Sequence, residues 1–410
     1  MVSVTIRVPS DTRKGGRQQE TREFGTTRRQ LLEMADWLRC RGVERAGMEA
    51  TSDYWKPVYF LLEQQGLDLL LYQASQVKAL PGRPKTDKLD SVWLAKVTER
   101  GSLAGSFVPP GDIRRLRTHT RYRRKLTQAR TAEKQRAEKL LEDAIKLSSV
   151  VTGLHGVTGR HIMDRLIAGD RDPRALAQLA RARARRKIAE LEQALEGTEF
   201  FTPAHAALLK TMLERIDWIN AEIARLSQVV EELLAPYEEQ LQQAESMPGW
   251  GRRAAQDVIA ETGVDMSRFR TPGHLASWAG RTPLDKQSGA RKGQRRHKRG
   301  NRYIGAVTGE TAVAAGKTDT REGARHRRLA RRRGKAKACV ATGNTQMRVF
   351  HVLLSNPGMR YEDPGADWLY DNQQQRARKL SRLVGALDAM GYDVTLSRKP
   401  GPGPEAASAA

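Results

Sequence analysis

The sequence predicts an α/β domain followed by a basic, predominantly helical remainder, and three observations predict it. Short strand-like runs alternate with helical spacings in the first third of the chain. From Asp112 onward the pattern turns helical and rich in arginine. Leu209, Met212, Ile216, Ile219, Ile223, Leu226, Val230 and Leu233 then step by threes and fours without a break, which is a heptad seam.

Each element follows from its own pattern. Val2 to Val8 alternates with period two and reads as a strand, and the polar stretch Pro9 to Glu23 reads as a loop. Thr27 to Arg39 carries Leu31, Leu32, Ala35 and Leu38 at helical spacing. Val43 to Met48 is a second strand, Val58 to Gln64 a helix and Leu67 to Tyr72 a third strand. Strands alternating with helices favour a sheet covered by helices. The long seam argues for a coiled coil or a long antiparallel helix pair, and Ile188, Leu191 and Leu195 form a shorter seam before the break at Gly197 to Pro203. Pro248-Gly249-Trp250-Gly251 restarts the chain ahead of a helical run from Arg252 to Glu261. Lys399 to Ala410 is rich in Pro, Gly and Ala and is expected to be disordered.

Composition narrows the partner. The 410 residues hold 72 Lys+Arg against 47 Asp+Glu, for a net charge of +25. Such an excess draws polyanions, with nucleic acid the default; the bland alternative is a basic protein without that role. The two cysteines, Cys40 and Cys339, lie far apart without metal-ligand spacing, which argues against a zinc site or disulfide framework and fits a reducing cytoplasm. No signal-peptide pattern and no run of membrane-spanning length is present in the sequence, so a soluble, cytoplasmic protein is expected.

Three carboxylates stand out. Asp87 and Asp90, in Lys85-Thr86-Asp87-Lys88-Leu89-Asp90, open the helical run Ser91 to Arg100, and residues three apart share a helix face. Glu49 ends the second strand. Three oxygen donors from different elements suit a hard cation such as Mg²⁺. Alternatively, Thr86 or Asp87 caps the helix and Asp90 is a favourable first-turn acid.

Basic clusters follow. Between Gly111 and Arg136 there are ten Lys/Arg against two acids, and Arg114, Arg117, Arg121 and Arg124 form one helical stripe. That stripe reads either as a solvated face or as a track for phosphates. The Pro-Gly-x-Gly turn, with Gly249 and Gly251, exposes backbone N–H groups at a helix start and resembles the hairpin of helix-hairpin-helix DNA-binding elements; turn chemistry alone explains it equally. Residues 281 to 340 hold nineteen Lys/Arg against four acids, densest at Arg291, Lys292, Arg295, Arg296, Lys298 and Arg299. Ser288 sits just before that stretch. A serine among cations can attack a phosphodiester, although loop serines more often satisfy turns.

Glu49-Ala50-Thr51-Ser52-Asp53-Tyr54-Trp55, Lys85 to Asp90, Pro248 to Gly251, Trp278-Ala279-Gly280-Arg281-Thr282-Pro283, Ser288-Gly289 and Lys298-Arg299-Gly300-Asn301 occur in that order. Together they resemble transposases of the insertion-sequence "one-ten" family, DEDD recombinases guided by a bridge RNA, over roughly Met1 to Tyr370. The resemblance implies an RNase H-like, RuvC-like domain over 1–160, a coiled coil over 171–240, a mostly helical C-terminal transposase domain over 241–370 and an extension over 371–410. It implies Mg²⁺ held by Glu49, Asp87 and Asp90 as the second, third and fourth acids, and Ser288 as a nucleophile that joins a DNA 5′ phosphate. Its implied partners are double-stranded DNA, a guide RNA and further copies of the chain, as a dimer or tetramer. The family's first acid lies on a strand that here falls upstream of Met1, and Asp11 sits in a loop. The expectation is therefore either a start codon further upstream or a truncated, inactive copy. The competing readings are a metal nuclease using water and a nucleic-acid-binding remnant without catalysis.

Overall fold

The computed structural model describes residues 1–10, 15–81, 86–284, 287–288, 291–292, 296–297, 300–370 and 373–396. It divides into two compact units, Met1–Pro109 and Pro110–Ala410.

The first unit is α/β. Strand β1 (Val2–Pro9) pairs antiparallel with β2 (Arg17–Phe24), from Val2 opposite Phe24 to Pro9 opposite Arg17. Helix α1 (Arg28–Cys40) leads to β3 (Arg45–Ala50), α2 (Trp55–Gln64) to β4 (Asp68–Gln73), and α3 (Ala74–Ala79) to α4 (Asp87–Glu99). β3 and β4 run parallel, with Glu49 opposite Tyr72. The apolar faces of both pairs cover α1 and α2: Ile6, Leu31, Met34, Leu38, Val58 and Leu62 share one core, with Val4, Ala46 and Met48 packed against it. The alternate positions of β1 meet α4, where Ser91 Oγ lies 2.8 Å from Thr5 Oγ1. Gly47 lets α4 come close, because a β-carbon there would collide with Thr98 Oγ1.

Two expectations change here. The segment read as a loop contains β2, whose sequence Arg-Gln-Gln-Glu-Thr-Arg-Glu-Phe has almost no apolar alternation; an exposed strand paired on one side does not need it, and its charges discourage further pairing. The covered sheet is two separate two-stranded pairs, with no hydrogen-bonded neighbour between β1 and β3 among the described residues.

The second unit is built on two helices of 32 residues each, α5 (Gly111–Glu142) and α9 (Pro203–Leu234). They run antiparallel: Tyr237, just past α9, bonds Asp112 at the start of α5, and Arg130 donates to Asn220 at 2.9 Å. Leu126 with Ile219, Ile223 and Leu226 fills the seam midway. At the end remote from Asp112, α6 (Val157–Ile167), α7 (Pro173–Ala177) and α8 (Ile188–Ala194) close a core around Leu141, Ile162, Leu166, Leu191 and Leu209. The seam's register drifts from the strict heptad, since Leu213 and Leu234 are buried whereas Met212 and Leu233 are only partly so. A straight helix at 3.6 residues per turn slides about 20° per heptad, which accounts for the change.

At the other end lie α10 (Glu238–Glu245), α11 (Arg252–Thr262), α12 (Pro272–Trp278), α13 (Arg302–Ala315), α14 (Arg321–Arg333) and α15 (Lys335–Ser355), with α16 (Gln373–Asp388) following. Between α12 and α13, β5 (Pro283–Leu284) pairs with β8 (Arg296–His297), and β6 (Gln287–Ser288) with β7 (Arg291–Lys292). No described helix is long and apolar enough to cross a membrane.

Candidate carboxylate site and nucleic-acid interface

In the first unit, β3 delivers Glu49 half-buried at its carboxyl end, where Thr51 Oγ1 donates to Glu49 Oε1 at 3.3 Å. The next turn is tight, with Ser52 in the left-handed region at φ 48°. Thr86 is the N-cap residue of α4, yet its side chain makes no capping bond. Asp87 and Asp90 both lie in the first turn, Asp87 exposed and Asp90 half-buried. The capping alternative therefore does not account for Thr86, and Asp87 stands inside the helix rather than at its cap. Hard oxygen donors of this kind suit a divalent cation. Among the described residues, however, no three acids, histidines or cysteines gather closely enough to hold a metal ion. Asp11, Lys85, Arg295, Lys298 and Arg299 lie outside the described residues.

In the second unit, the arginine stripe of α5 faces acids of α11 and α13. Glu261, 1% exposed, accepts two hydrogen bonds from Arg121 at 2.7 and 2.8 Å and one from Asn301 Nδ2 at 2.6 Å. Arg117 donates to the backbone carbonyls of Ala260 and Glu261; burial pulls its pKa down to about 10, partly offset by the Glu261 charge. Arg124 donates to Glu310 at 2.7 Å. Arg114 also opens α5 and is engaged. Arg123, 1% exposed, bonds Gln256 and Asp257, each at 2.8 Å. Burial pushes the Asp257 carboxyl up, against the pull of Arg123. These arginines are part of the fold, and no sequence spacing could have revealed partners some 140 positions away.

Asn301 links that acid to the hairpin. Its Oδ1 accepts from the Tyr303 and Ile304 backbone N–H groups and caps α13, while Arg121 stacks over the Tyr303 ring at 4.4 Å. Beside it, Gly300 lies against Ala279 and Gly280, where a β-carbon would collide with the Gly280 nitrogen. The two motifs flanking the serine loop therefore clamp its ends. Within the loop, Ser288 stands directly opposite Arg291 in the antiparallel register, Gln287 opposite Lys292, and Leu284 opposite Arg296.

Charge counting does not single out Arg281, at the hairpin's root. It is half-buried and forms no ion pair among the described residues, and its Nε has no partner. Burial lowers its pKa, with nearby Cys339 opposing. Gly305 and Gly343 make room for it, since a β-carbon on Gly305 would sit 2.6 Å from Arg281 Nη2. Such a cation suits an anion, and the glycines around it were the signal available in sequence.

Gly249 and Gly251 divide their roles. Gly249, at φ 79°, packs against the Thr311 and Ala315 backbone, where no side chain fits. Gly251 is the exposed N-cap of α11. Arg252 beside it bridges Glu231 and Glu238. At the end of α14, Arg328, Arg331, Arg332 and Arg333 are exposed, as are Lys335 and Lys337 at the start of α15.

Two comparisons bear on this arrangement. No curated protein matches the chain. Residues 12–145 match the model of the DEDD transposase domain of the IS110 type, and residues 241–327 match that of the transposase IS116/IS110/IS902 family.

Proposed function

The chain belongs to the IS110 family of transposases, whose models account for more than half of it, and from that premise we propose that it cuts and rejoins DNA through a phosphoserine link formed by Ser288. The family's business is DNA transposition, so DNA is the substrate. The observation that carries the reading is the clamped hairpin, in which Gly300 and Gly280 close the root and Ser288 stands opposite Arg291.

The Ser288 oxygen attacks phosphorus, forming an Oγ–P bond to the 5′ side and breaking the P–O3′ bond. The serine proton leaves with the 3′ oxygen as a hydroxyl. Attack by a second 3′ hydroxyl on the phosphoserine reverses the step and rejoins strands. The bond count is conserved, so no external energy source is required. Arg281 at the root and Arg291 across the register offset the charge that develops on the phosphoryl oxygens. Lys292 and Arg296 add further positive charge to the same segment of the sequence. Glu49, Asp87 and Asp90 are assigned to a Mg²⁺ ion, whose contribution when bound is neutralisation of phosphate charge. Their donor chemistry supports this assignment. Arg117 and Arg121 support the interface by holding the Glu261 segment, to which Asn301 is bonded, and Arg124 by holding Glu310, with Arg114 on the same stripe, while the exposed end of α14 and the Gly251 helix start take phosphates. The guide RNA and the multi-copy assembly belong to the same proposal.

Incubation with donor DNA should leave a denaturation-resistant protein–DNA adduct with the wild-type chain and none with Ser288→Ala. An adduct that persists in Ser288→Ala would overturn the assignment. Strand cleavage that persists without an adduct would point to the metal nuclease. The ungathered carboxylates favour a second reading, a DNA-binding remnant, and it predicts tight DNA binding with neither adduct nor cleavage.

A further inference from the structure

At the end of α5 and α9 remote from Asp112, the connection from α7 to α8 carries Arg181-Ala182-Arg183-Ala184-Arg185-Arg186-Lys187, a run of Arg, Lys and Ala alone. No acid lies between Asp172 and Glu190. Ala182–Lys187 is a 3₁₀ helix, in which side chains three residues apart eclipse, so Arg183 and Arg186 lie on one side of it. All five cations are exposed.

The fold makes little use of these charges. Lys187 reaches the Val150 carbonyl at 3.3 Å and Glu190 at 3.7 Å. The side chains of Arg181, Arg183, Arg185 and Arg186 have neither a hydrogen bond nor an ion pair among the described residues. The stripe of α5 is the opposite case, since Arg121 and Arg124 are matched by Glu261 and Glu310. Like charges packed this densely repel one another, and a face kept only for solubility is better served by both signs interspersed.

The segment is nevertheless held in place. The Arg181 N–H donates to Thr158 Oγ1 at 3.0 Å, and the Ala184 N–H to the Arg181 carbonyl. Ala180 is buried, and Ala184 and Ile188 pack on the core that contains Leu141, Leu191 and Leu209. Ala182 stands in the left-handed region at φ 48°, which an alanine adopts only under strain. A packed core thus presents a fixed cluster of unmatched cations, the arrangement that a polyanion neutralises. Arg and Lys are the usual partners of backbone phosphates, contacts that position a nucleic acid without reading its sequence.

We propose that Arg181 to Lys187 form a separate nucleic-acid site, which takes the phosphodiester backbone of DNA or of a folded RNA, independently of base sequence, at the end of the paired helices opposite α14. The proposal rests on the transposase reading for the presence of a nucleic acid and not for the serine chemistry.

The test uses the full chain with Ser288→Ala, so that no adduct forms and a failure of the phosphoserine step leaves the result intact. Into it go Arg183→Gln, Arg185→Gln and Arg186→Gln together. Affinity is titrated against salt with two probes of mixed sequence, a duplex DNA and an RNA hairpin, each long enough to reach both ends of the helix pair. Because the three side chains have no partner in the fold, Tm should stay at or above that of the parent, and a clear fall in Tm would overturn the premise that they are spare. The slope of log K against log salt should fall by about 2.7 for the duplex, at 0.9 per lost phosphate contact. A fall with DNA alone assigns the site to DNA, with RNA alone to RNA, and with both to either backbone. An unchanged slope with both probes overturns the proposal. A loss confined to one base sequence overturns its sequence independence.

Discussion

Gly300 rests on Gly280 so closely that neither backbone leaves room for a β-carbon on Gly300. These two glycines join the segments entering and leaving the Ser288 hairpin, and Asn301 next to Gly300 is tied to the buried Glu261. Gly300→Ala should force the two segments apart, at a cost of about 1–3 kcal/mol typical of overpacking. Denaturant unfolding checks the cost. Adduct formation should fall further than stability alone explains, while DNA binding through α14 persists.

Glu261 is the hub of the second unit's charged network. Glu261→Ala removes the buried carboxylate that the half-exposed Arg121 grips and that offsets the more buried Arg117, which keeps its backbone acceptors, and should cost about 1–3 kcal/mol. The Arg121→Met, Glu261→Ala double variant should be less destabilised than the sum of its singles, because the stranded charge goes with its partner. Strict additivity in denaturant titrations would count against the network.

Acid should release the bridge at Arg252. The Arg252 hydrogen bonds hold the Glu238 carboxyl down at about 2 and lower that of Glu231. Carboxyls lowered in the folded state contribute stability that is complete above their ordinary pKa near 4.5 and is lost as pH falls toward about 2. All three side chains are about two-fifths exposed, so screening limits the effect to about 0.2–1 kcal/mol per pair. Arg252→Ala should flatten that part of the stability–pH curve.

The exposed end of α14 should make DNA affinity steeply salt-dependent. If Arg331, Arg332 and Arg333 each neutralise one phosphate, replacing all three by Gln should reduce the slope of log K against log salt by about 2.7. An unchanged slope in binding titrations removes α14 from the interface.

Much of the first unit was legible because its strands alternate and its helices carry apolar stripes, as with Val2 to Val8 and Thr27 to Arg39. β2 was hidden because Arg17 to Phe24 is held by pairing with β1 rather than by its own apolar face. The α5 stripe was visible as periodicity, but what Arg121 meets depends on a fold that returns Glu261 beside it. The seam of α9 was legible in place and off by one residue at Leu213 and Leu234, because a straight helix does not keep a strict heptad. Ser288 was conspicuous only through its flanking motifs. The clamp of Gly300 on Gly280 supplies a physical reason for that flanking pattern, and the Arg281 guanidinium, without an ion pair among the described residues, became visible only with the packing around it.

The paired helices α5 and α9, at 32 residues each, measure about 48 Å at 1.5 Å per residue. Because the seam's midpoint is filled by Leu126 and three partners, the length of the pair is set in whole helical turns, so evolution could alter it only by adding or removing matched turns in both arms at once.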